Sequence, residues 1–271
     1  LTTIQPRSWA ALPLGTRLKY AIKDQLTRWS TKRFVVRKRQ GSWFLIDKAN
    51  FVDRYLEIRG GWENEQLSML KQLVVSEGKS DQRATFLDIG AHAGYYAIHM
   101  AKLVIFDRIV CIEADAHNAA QLHANLFLNK LTHRIEVVQG AASDKAGSLF
   151  LRPGPNKNRG ATSIVKPGTD GSYRVRALTI DSLEHGSAGL IVAKIDVEGG
   201  ELAVLAGMQA LMDTNCCSLQ IESSEDKIAQ LSALLTARGF EWKAQVRHDN
   251  FFVRMGARSN ANHPVSAGAA G

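Results

Sequence analysis

From residue 85 onward the chain alternates short apolar runs with stretches of helical spacing, and few architectures accept that rhythm. The runs are 85–89, 108–113, 135–138, 190–195 and 218–222, and helical spacing fills 95–102, 118–129, 201–212 and 226–238. Strands that are apolar throughout are buried on both faces, and a helix between successive strands makes them run parallel. The expectation is an α/β fold with a doubly wound, mostly parallel sheet, ending in two strands at 240–243 and 251–254 around Asp249-Asn250. Residues 147–178 break the rhythm. Two strand-like runs there, 148–151 and 173–178, flank a turn-rich stretch containing Pro153-Gly154-Pro155-Asn156. Such an insertion either sits at the edge of a site and sets selectivity or is a surface hairpin.

Charge divides the chain unevenly. The net charge of the 271 residues is +8, but residues 1–40 hold ten Lys and Arg (Arg7, Arg17, Lys19, Lys23, Arg28, Lys32, Arg33, Arg37, Lys38, Arg39) against Asp24 alone. That segment carries +9 and the remaining 231 residues carry −1. An anionic surface would therefore touch residues 7–39, and the body is a poor candidate for nucleic acid. Leu18, Ile22, Leu26 and Trp29 fall at helical spacing, with Lys19, Lys23 and Arg28 on other faces. This basic amphipathic helix either meets an anionic membrane, an acidic glycan or nucleic acid, or lays its apolar stripe on the main body. Strands at 34–36 and 43–46 around Gln40-Gly41-Ser42, then a helix at 62–75, come next.

The organisation that follows is a basic extension at 1–40, strands and a helix packing on the core at 41–82, the α/β domain at 83–255 and a disordered tail at 256–271. No apolar run reaches the roughly 18 residues of a membrane span. Three cysteines, Cys111 and the adjacent Cys216 and Cys217, make neither a disulfide framework nor a four-ligand zinc site. The first residue is Leu and no charged-then-apolar leader pattern follows, so a cytoplasmic protein is expected, with a start that is open to trimming.

The chemistry is concentrated in Thr85-Phe86-Leu87-Asp88-Ile89-Gly90-Ala91-His92-Ala93-Gly94-Tyr95-Tyr96. A strand runs into Asp88-x-Gly90-x-x-x-Gly94 and then a helix, whose N-terminal N–H groups and glycine turn let a ligand approach the backbone. Nineteen residues past Gly94 the second strand ends in Glu113, placed to accept both hydroxyls of a ribose. Dinucleotide enzymes carry a glycine where Asp88 stands, and a carboxylate there would repel a pyrophosphate. Asp88 instead suits a cofactor with a cationic amino-acid end, and S-adenosyl-L-methionine has both that ammonium and a ribose. A second string, Lys194-Ile195-Asp196-Val197-Glu198-Gly199-Gly200-Glu201, ends the fourth core strand and opens a helix, aiming Asp196 and Glu198 at the same rim. Glu201 reads as helix-start electrostatics. Glu222, at the end of the next strand, either completes an acidic wall or pairs with Lys227.

Residues 86–96, the 194–201 string and Val204-Leu205-Ala206-Gly207-Met208 together resemble the FkbM-type family of S-adenosylmethionine-dependent methyltransferases over 62–253. The family pattern is met at Asp88, Gly90, Gly94, Glu113, Asp196, Glu198, Gly199 and Glu201; His92 stands where the family usually has Asn, and a histidine can titrate. The resemblance implies a seven-stranded class I, Rossmann-like sheet and methylation of hydroxyl oxygens on sugars or polyketide-type metabolites. It implies that Gly90 and Gly94 form the cofactor turn, that Glu113 holds the ribose and that Ser143-Asp144 lie near the adenine. Glu63 resembles a recurrent family position before the core, with a structural role as its alternative.

An alcohol is a weak nucleophile until its proton leaves, so one of Asp196, Glu198 or Glu222 is expected to accept it. The alternative is that these acids bind a divalent cation such as magnesium, which polarises the hydroxyl. Other functions compete. The basic arm would anchor RNA for a methyltransferase of that substrate, although no Asn-Pro-Pro-Tyr-like motif occupies the fourth strand. A non-catalytic module that keeps only the fold is a further reading.

Overall fold

The computed structural model describes residues 2–4, 12–29, 32–77, 83–154, 162–183 and 189–255. A short strand β1 (Thr2–Ile4) and helix α1 (Leu14–Trp29) precede a hairpin, β2 (Phe34–Arg39) and β3 (Ser42–Asp47), and two helices, α2 (Phe51–Arg59) and α3 (Asn64–Glu77). The alternating region begins with β4 (Ala84–Ile89), α4 (Tyr95–Met100), β5 (Arg108–Glu113), α5 (Ala116–Leu128) and β6 (Glu136–Gln139). An inserted sheet is made from β7 (Ala141–Ala142), β8 (Gly147–Arg152), β9 (Ser163–Val165) and β10 (Tyr173–Leu178). Alternation resumes with β11 (Leu190–Ile195), α6 (Glu201–Ala206), α7 (Gln209–Thr214), β12 (Cys216–Glu222) and α8 (Glu225–Ala237), and the hairpin β13 (Glu241–Val246) and β14 (Asp249–Arg254) closes it.

The main sheet runs β1-β13-β14-β12-β11-β4-β5-β6, with β14 antiparallel to both neighbours and every other pairing parallel. It contains the seven strands that the sequence pattern implies, and β1 adds an eighth at the edge. Strands β4 and β11 are buried at every position, and side-chain alternation sends Phe86 and Val192 to one face and Leu87 and Ala193 to the other. The first face is covered by α3, α4 and α5 through Leu70, Ile98 and Leu122. The second is covered by α6, α7 and α8 through Val204, Leu211 and Leu231. Parallel strands around the central β4 and β11 therefore present all their carboxyl ends at one rim.

Four expectations need correction or extension. The helix expected over 201–212 is two helices, because Gly207 lies where a Cβ would meet the Ser143 carbonyl oxygen at 1.9 Å, and the Gly207 carbonyl accepts the Asp181 N–H at 2.9 Å. The Asp181 carboxylate then starts α7 by accepting N–H bonds from Ala210 and Leu211. Helix α2 is absent from the sequence reading; Asn50 caps its start and Gly60, at φ 83°, ends it. The hairpin β2–β3 pairs across the 40/41 boundary, and Arg33 binds Asp47 while Arg37 and Arg39 share Glu57, so much of the basic charge there is engaged within the chain. Helix α1 forms as expected, but its apolar stripe faces solvent instead of the body: Leu18 is 60% exposed and Leu26 60%. The expected tail at 256–271 lies outside the described residues.

Candidate active site

The carboxyl ends of β4, β5, β11 and β12 open onto one cavity of about 310 Å³. Its wall is completed by Phe51 and Val52 of α2, by Trp62 and Glu63 ahead of α3, and by Leu151, Thr162 and Ile164 of the inserted segment. The insertion is thus part of the site's edge and not a hairpin remote from it.

Between β4 and α4 the chain turns through Gly90 (φ 81°), His92 (φ 48°) and Gly94 (φ 79°). A Cβ on Gly90 would lie 1.7 Å from the Asp196 carbonyl oxygen, and one on Gly94 would lie 2.2 Å from Leu122 Cδ1. Packing of the turn against the end of β11 and against α5 demands these glycines, and Gly90 also lines the cavity, where the sequence places a ligand's approach. Asp88 also departs from expectation. It is buried behind the turn, off the cavity wall, and its Oδ2 accepts the Ala97 N–H at 3.0 Å, satisfying the start of α4 from within. Burial raises its pKa to about 6, with the Lys194 ammonium opposing the rise.

Glu113 forms the cavity floor. Its Oε2 accepts the His92 N–H and its Oε1 the Asp115 N–H, each at 2.8 Å, while Asn118 Nδ2 stands 3.4 Å from Oε1. A carboxylate has about four acceptor sites, so Glu113 can still accept from a ribose hydroxyl. Burial pushes its pKa up to about 7. Asp115 caps α5 through the N–H groups of His117 and Asn118, and its other oxygen takes the Tyr173 hydroxyl at 2.5 Å, tying the inserted sheet to the floor. His92 has its Nε2 3.2 Å from Asn50 Nδ2, an amide donor, which assigns the ring as neutral with its proton on Nδ1. Burial and the Lys194 charge lower its pKa to about 4, so the titration expected at this position does not fall near neutrality.

The opposite wall is acidic. Asp196 and Glu198 follow β11, Glu222 ends β12, and Glu63 reaches in from the segment before α3. Lys194, buried within β11, places Nζ 2.9 Å from Asp196 Oδ2 and 4.8 Å from the Tyr96 ring centroid. Burial pulls the pKa of this lysine down, but the carboxyl groups of Asp196, Glu63 and Asp88 outweigh it and hold it well above the ordinary range. Glu63 accepts the Tyr96 hydroxyl at 2.9 Å, and Gln220 donates to that same hydroxyl at 2.9 Å and to Asp249 at 2.7 Å. Burial raises Glu63 to about 7, and Lys194 restrains the rise. Glu222 is pushed up to about 9 by burial and by its neighbours Asp196, Asp249 and Glu63. Loss of hydration, reinforced by Asp196 and Glu201, raises Glu198 to about 7. Glu201 has the helix-start place expected of it, accepting the Gly199 N–H at 2.6 Å with Lys227 3.5 Å away; Lys227 pairs there and not with Glu222.

Ser143 and Asp144 do not line the cavity; Gly140, Ala141 and Ala142 do. The reason is that the Ser143 N–H donates to the Leu178 carbonyl and the Ser143 carbonyl packs against Gly207, which draws this segment into the inserted sheet and under α6. Sequence reading gave no role to Lys194, Tyr96 or Asp115. For Lys194 a signal existed: it is the one charged residue in the run 190–195, and a charge inside a buried strand requires partners. Among the described residues, no group of three or more His, Cys, Asp or Glu side chains is arranged to hold a metal ion, so the magnesium alternative gains no support.

The sequence profile of the FkbM methyltransferase domain matches residues 88–242, more than half of the chain. The chain belongs to the FkbM methyltransferase family. Its fold is the class I, Rossmann-like one. Among solved structures, the FkbM methyltransferase of Methylobacillus flagellatus KT is 16% identical with a TM-score of 0.47, the match covering 76% of this chain and 52% of that one. This chain therefore spans about half the length of that FkbM protein. A human methyltransferase 10 domain containing protein is 13% identical over 89% of this chain and 97% of its own, with a TM-score of 0.49. TYW2 of M. jannaschii, solved in complex with AdoMet, is 14% identical over 84% and 89%, with a TM-score of 0.41. No curated protein matches the chain.

Proposed function

We propose that this FkbM-family chain transfers the methyl group of S-adenosyl-L-methionine to a hydroxyl oxygen of a sugar or glycan, or of a polyketide-type metabolite. The observation that carries the reading is the meeting, in one cavity, of a floor carboxyl fixed by two backbone N–H groups and an acidic wall that includes Glu198. The cofactor would supply a methyl group on a cationic sulfonium. Glu113 would accept its ribose hydroxyls, and Gly140, Ala141 and Ala142 leave an unobstructed wall for a flat ring. The carboxyl groups opposite complement a positive charge.

Glu198 is the general base in this reading. Asp196 is engaged by Lys194, and Glu222, with a pKa of about 9, holds its proton at neutral pH and would donate a hydrogen bond to the acceptor. Glu198, at about 7, is poised to take the hydroxyl proton as oxygen attacks the methyl carbon. Placing the two reactants in line accounts for the larger share of the acceleration, on the order of 7–11 kcal/mol for well-oriented reactants. The RNA reading is weakened at the β2–β3 hairpin, where Arg33, Arg37 and Arg39 are engaged by Asp47 and Glu57.

Calorimetric titration tests the cofactor. S-adenosyl-L-methionine is expected to bind and NADH not to bind, with Glu113→Ala weakening the former by about tenfold or more, the loss of one charge-assisted contact. A folded protein that fails to bind the sulfonium cofactor, or binds NADH in its place, overturns the proposal.

A further inference from the structure

Five of the exposed large apolar side chains among the described residues lie in a line on α1. Leu14, Leu18, Ile22, Leu26 and Trp29 are 79%, 60%, 51%, 60% and 73% exposed, and nothing among the described residues covers them. At about 100° per residue these five centre on one side of the helix. The contacts that hold α1 to the body are on the other side. Asp24 Oδ1 lies 3.1 Å from Arg54 Nε, and the Arg59 guanidinium stacks 4.1 Å above the Tyr20 ring, joining α1 to α2. Tyr20 and Asp24 sit about 140–180° around the helix from Ile22 and Trp29. A helix docked by its polar face and presenting its apolar face outward is the reverse of a helix that belongs to a core.

We infer that α1 is an in-plane anchor that seats this enzyme on an anionic lipid bilayer. Length, charge and geometry select this occupant. The 16 residues of α1 make a rod of about 24 Å, too short and too polar to cross a bilayer, and no described helix is long and apolar enough to do so. Lys19 and Lys23 are exposed along one border of the stripe, where their ammonium groups reach lipid headgroups while the apolar face enters the acyl boundary. Within α1 itself Arg17, Lys19, Lys23 and Arg28 stand against Asp24 alone, so attraction to an anionic surface also orients the molecule with α1 towards it. Apolar entry and basic attraction are the two contributions that set the binding strength of an interfacial helix.

The test is flotation of the full chain with vesicles of phosphatidylcholine alone and of phosphatidylcholine mixed with phosphatidylglycerol. Binding to the mixed vesicles is expected, with little to the neutral ones and a fall as salt is raised. The double variant Leu18→Gln/Leu26→Gln is expected to lower vesicle affinity by about tenfold or more. Lys19→Glu/Lys23→Glu is expected to lower it with a reduced salt dependence. Both variants change exposed positions, so wild-type melting temperatures are expected and serve as the folding control. The inference fails if the mixed vesicles do not bind, or if binding survives the leucine changes. It fails too if the wild-type chain self-associates without vesicles and Leu18→Gln/Leu26→Gln makes it monomeric, which would assign the stripe to a second copy.

Discussion

Lys194 lies in a strand buried at every position and faces the carboxyl groups of Asp196, Glu63 and Asp88. Replacing it by methionine preserves much of the volume but leaves three acids without their common counter-charge. Breaking such a buried arrangement costs about 3–5 kcal/mol. The loss depends on pH with a definite sign. Without the ammonium, Glu63 and Asp88 titrate above about 7 and about 6, their values beside it, so the variant is nearest to wild type below about pH 6, where they are protonated, and falls furthest behind at alkaline pH. Thermal melts of Lys194→Met across pH check this; a deficit independent of pH would mean that packing alone was lost. The same reasoning gives turnover its pH dependence. A base at about 7 must be deprotonated and Glu222 must keep its proton, so the rate is expected to rise with pH through about 7, level off, and fall as Glu222 ionises through about 9. Glu198→Gln should lower turnover by about 10²–10⁴-fold, remove that rise and weaken cofactor binding far less than it lowers turnover.

At the scale of the element, β9 is where the acceptor is expected to be chosen. Ile164 lines the cavity from the inserted sheet while remaining 42% exposed, and a Cβ on Gly200, just ahead of α6, would lie 3.4 Å from its Cδ1. Ile164→Ala is expected to raise the acceptor KM about three- to tenfold with the cofactor Kd unchanged, because only part of an apolar side chain's transfer energy is at stake. A shift in cofactor Kd would place β9 over the cofactor instead. The elements themselves were legible to different degrees, for physical reasons. Parallel strands such as β4 and β11 announce themselves as unbroken apolar runs because both faces are covered. Helix α2 did not: only Asp53, Leu56 and Ile58 of its nine residues are buried, so it lacks a stripe and is defined by its caps. The break at Gly207 follows from the carbonyl of Ser143, a contact between distant segments that no local pattern encodes. Helix α1 shows the limit most plainly, since periodicity reveals an apolar stripe and says nothing of what covers it. In the site, Glu113 was legible from its distance to the turn, whereas Asp88 was misread because its direction, inward to α4, is set by packing.

At the scale of the whole molecule, the titratable groups in and around the cavity make stability depend on pH in an unusual direction. Asp53, Glu63, Asp88, Glu113 and Glu222 all have pKa values raised by burial, to about 7, 7, 6, 7 and 9. Between their unfolded values near 4 and these folded values, the native state holds protons that the unfolded chain has released. Stability contributed by a raised acid is complete below the unfolded pKa and lost as pH rises through the folded one. His92 and His99, lowered to about 4 by burial, act oppositely and cost stability as pH falls below about 6.5. Glu198, raised to about 7 as well, makes six acids against two histidines, a net loss of stability with rising pH from about 4.5 upward, and above about 6.5 the histidines no longer oppose it. The ligand-free protein is therefore expected to melt highest at mildly acidic pH and to lose stability steadily towards pH 9. Asp53 isolates one component outside the cavity. Its Oδ2 accepts the Asp47 N–H at 2.8 Å and the Gln121 amide at 2.6 Å, and an asparagine carbonyl can accept both while carrying no charge. Asp53→Asn should match wild type near pH 4 and exceed it at pH 8, by a few kcal/mol, since each pKa unit corresponds to about 1.36 kcal/mol. Denaturant unfolding at the two pH values measures the difference, and equal stabilities at pH 8 would show that Asp53 ionises in the native state without the cost its burial implies.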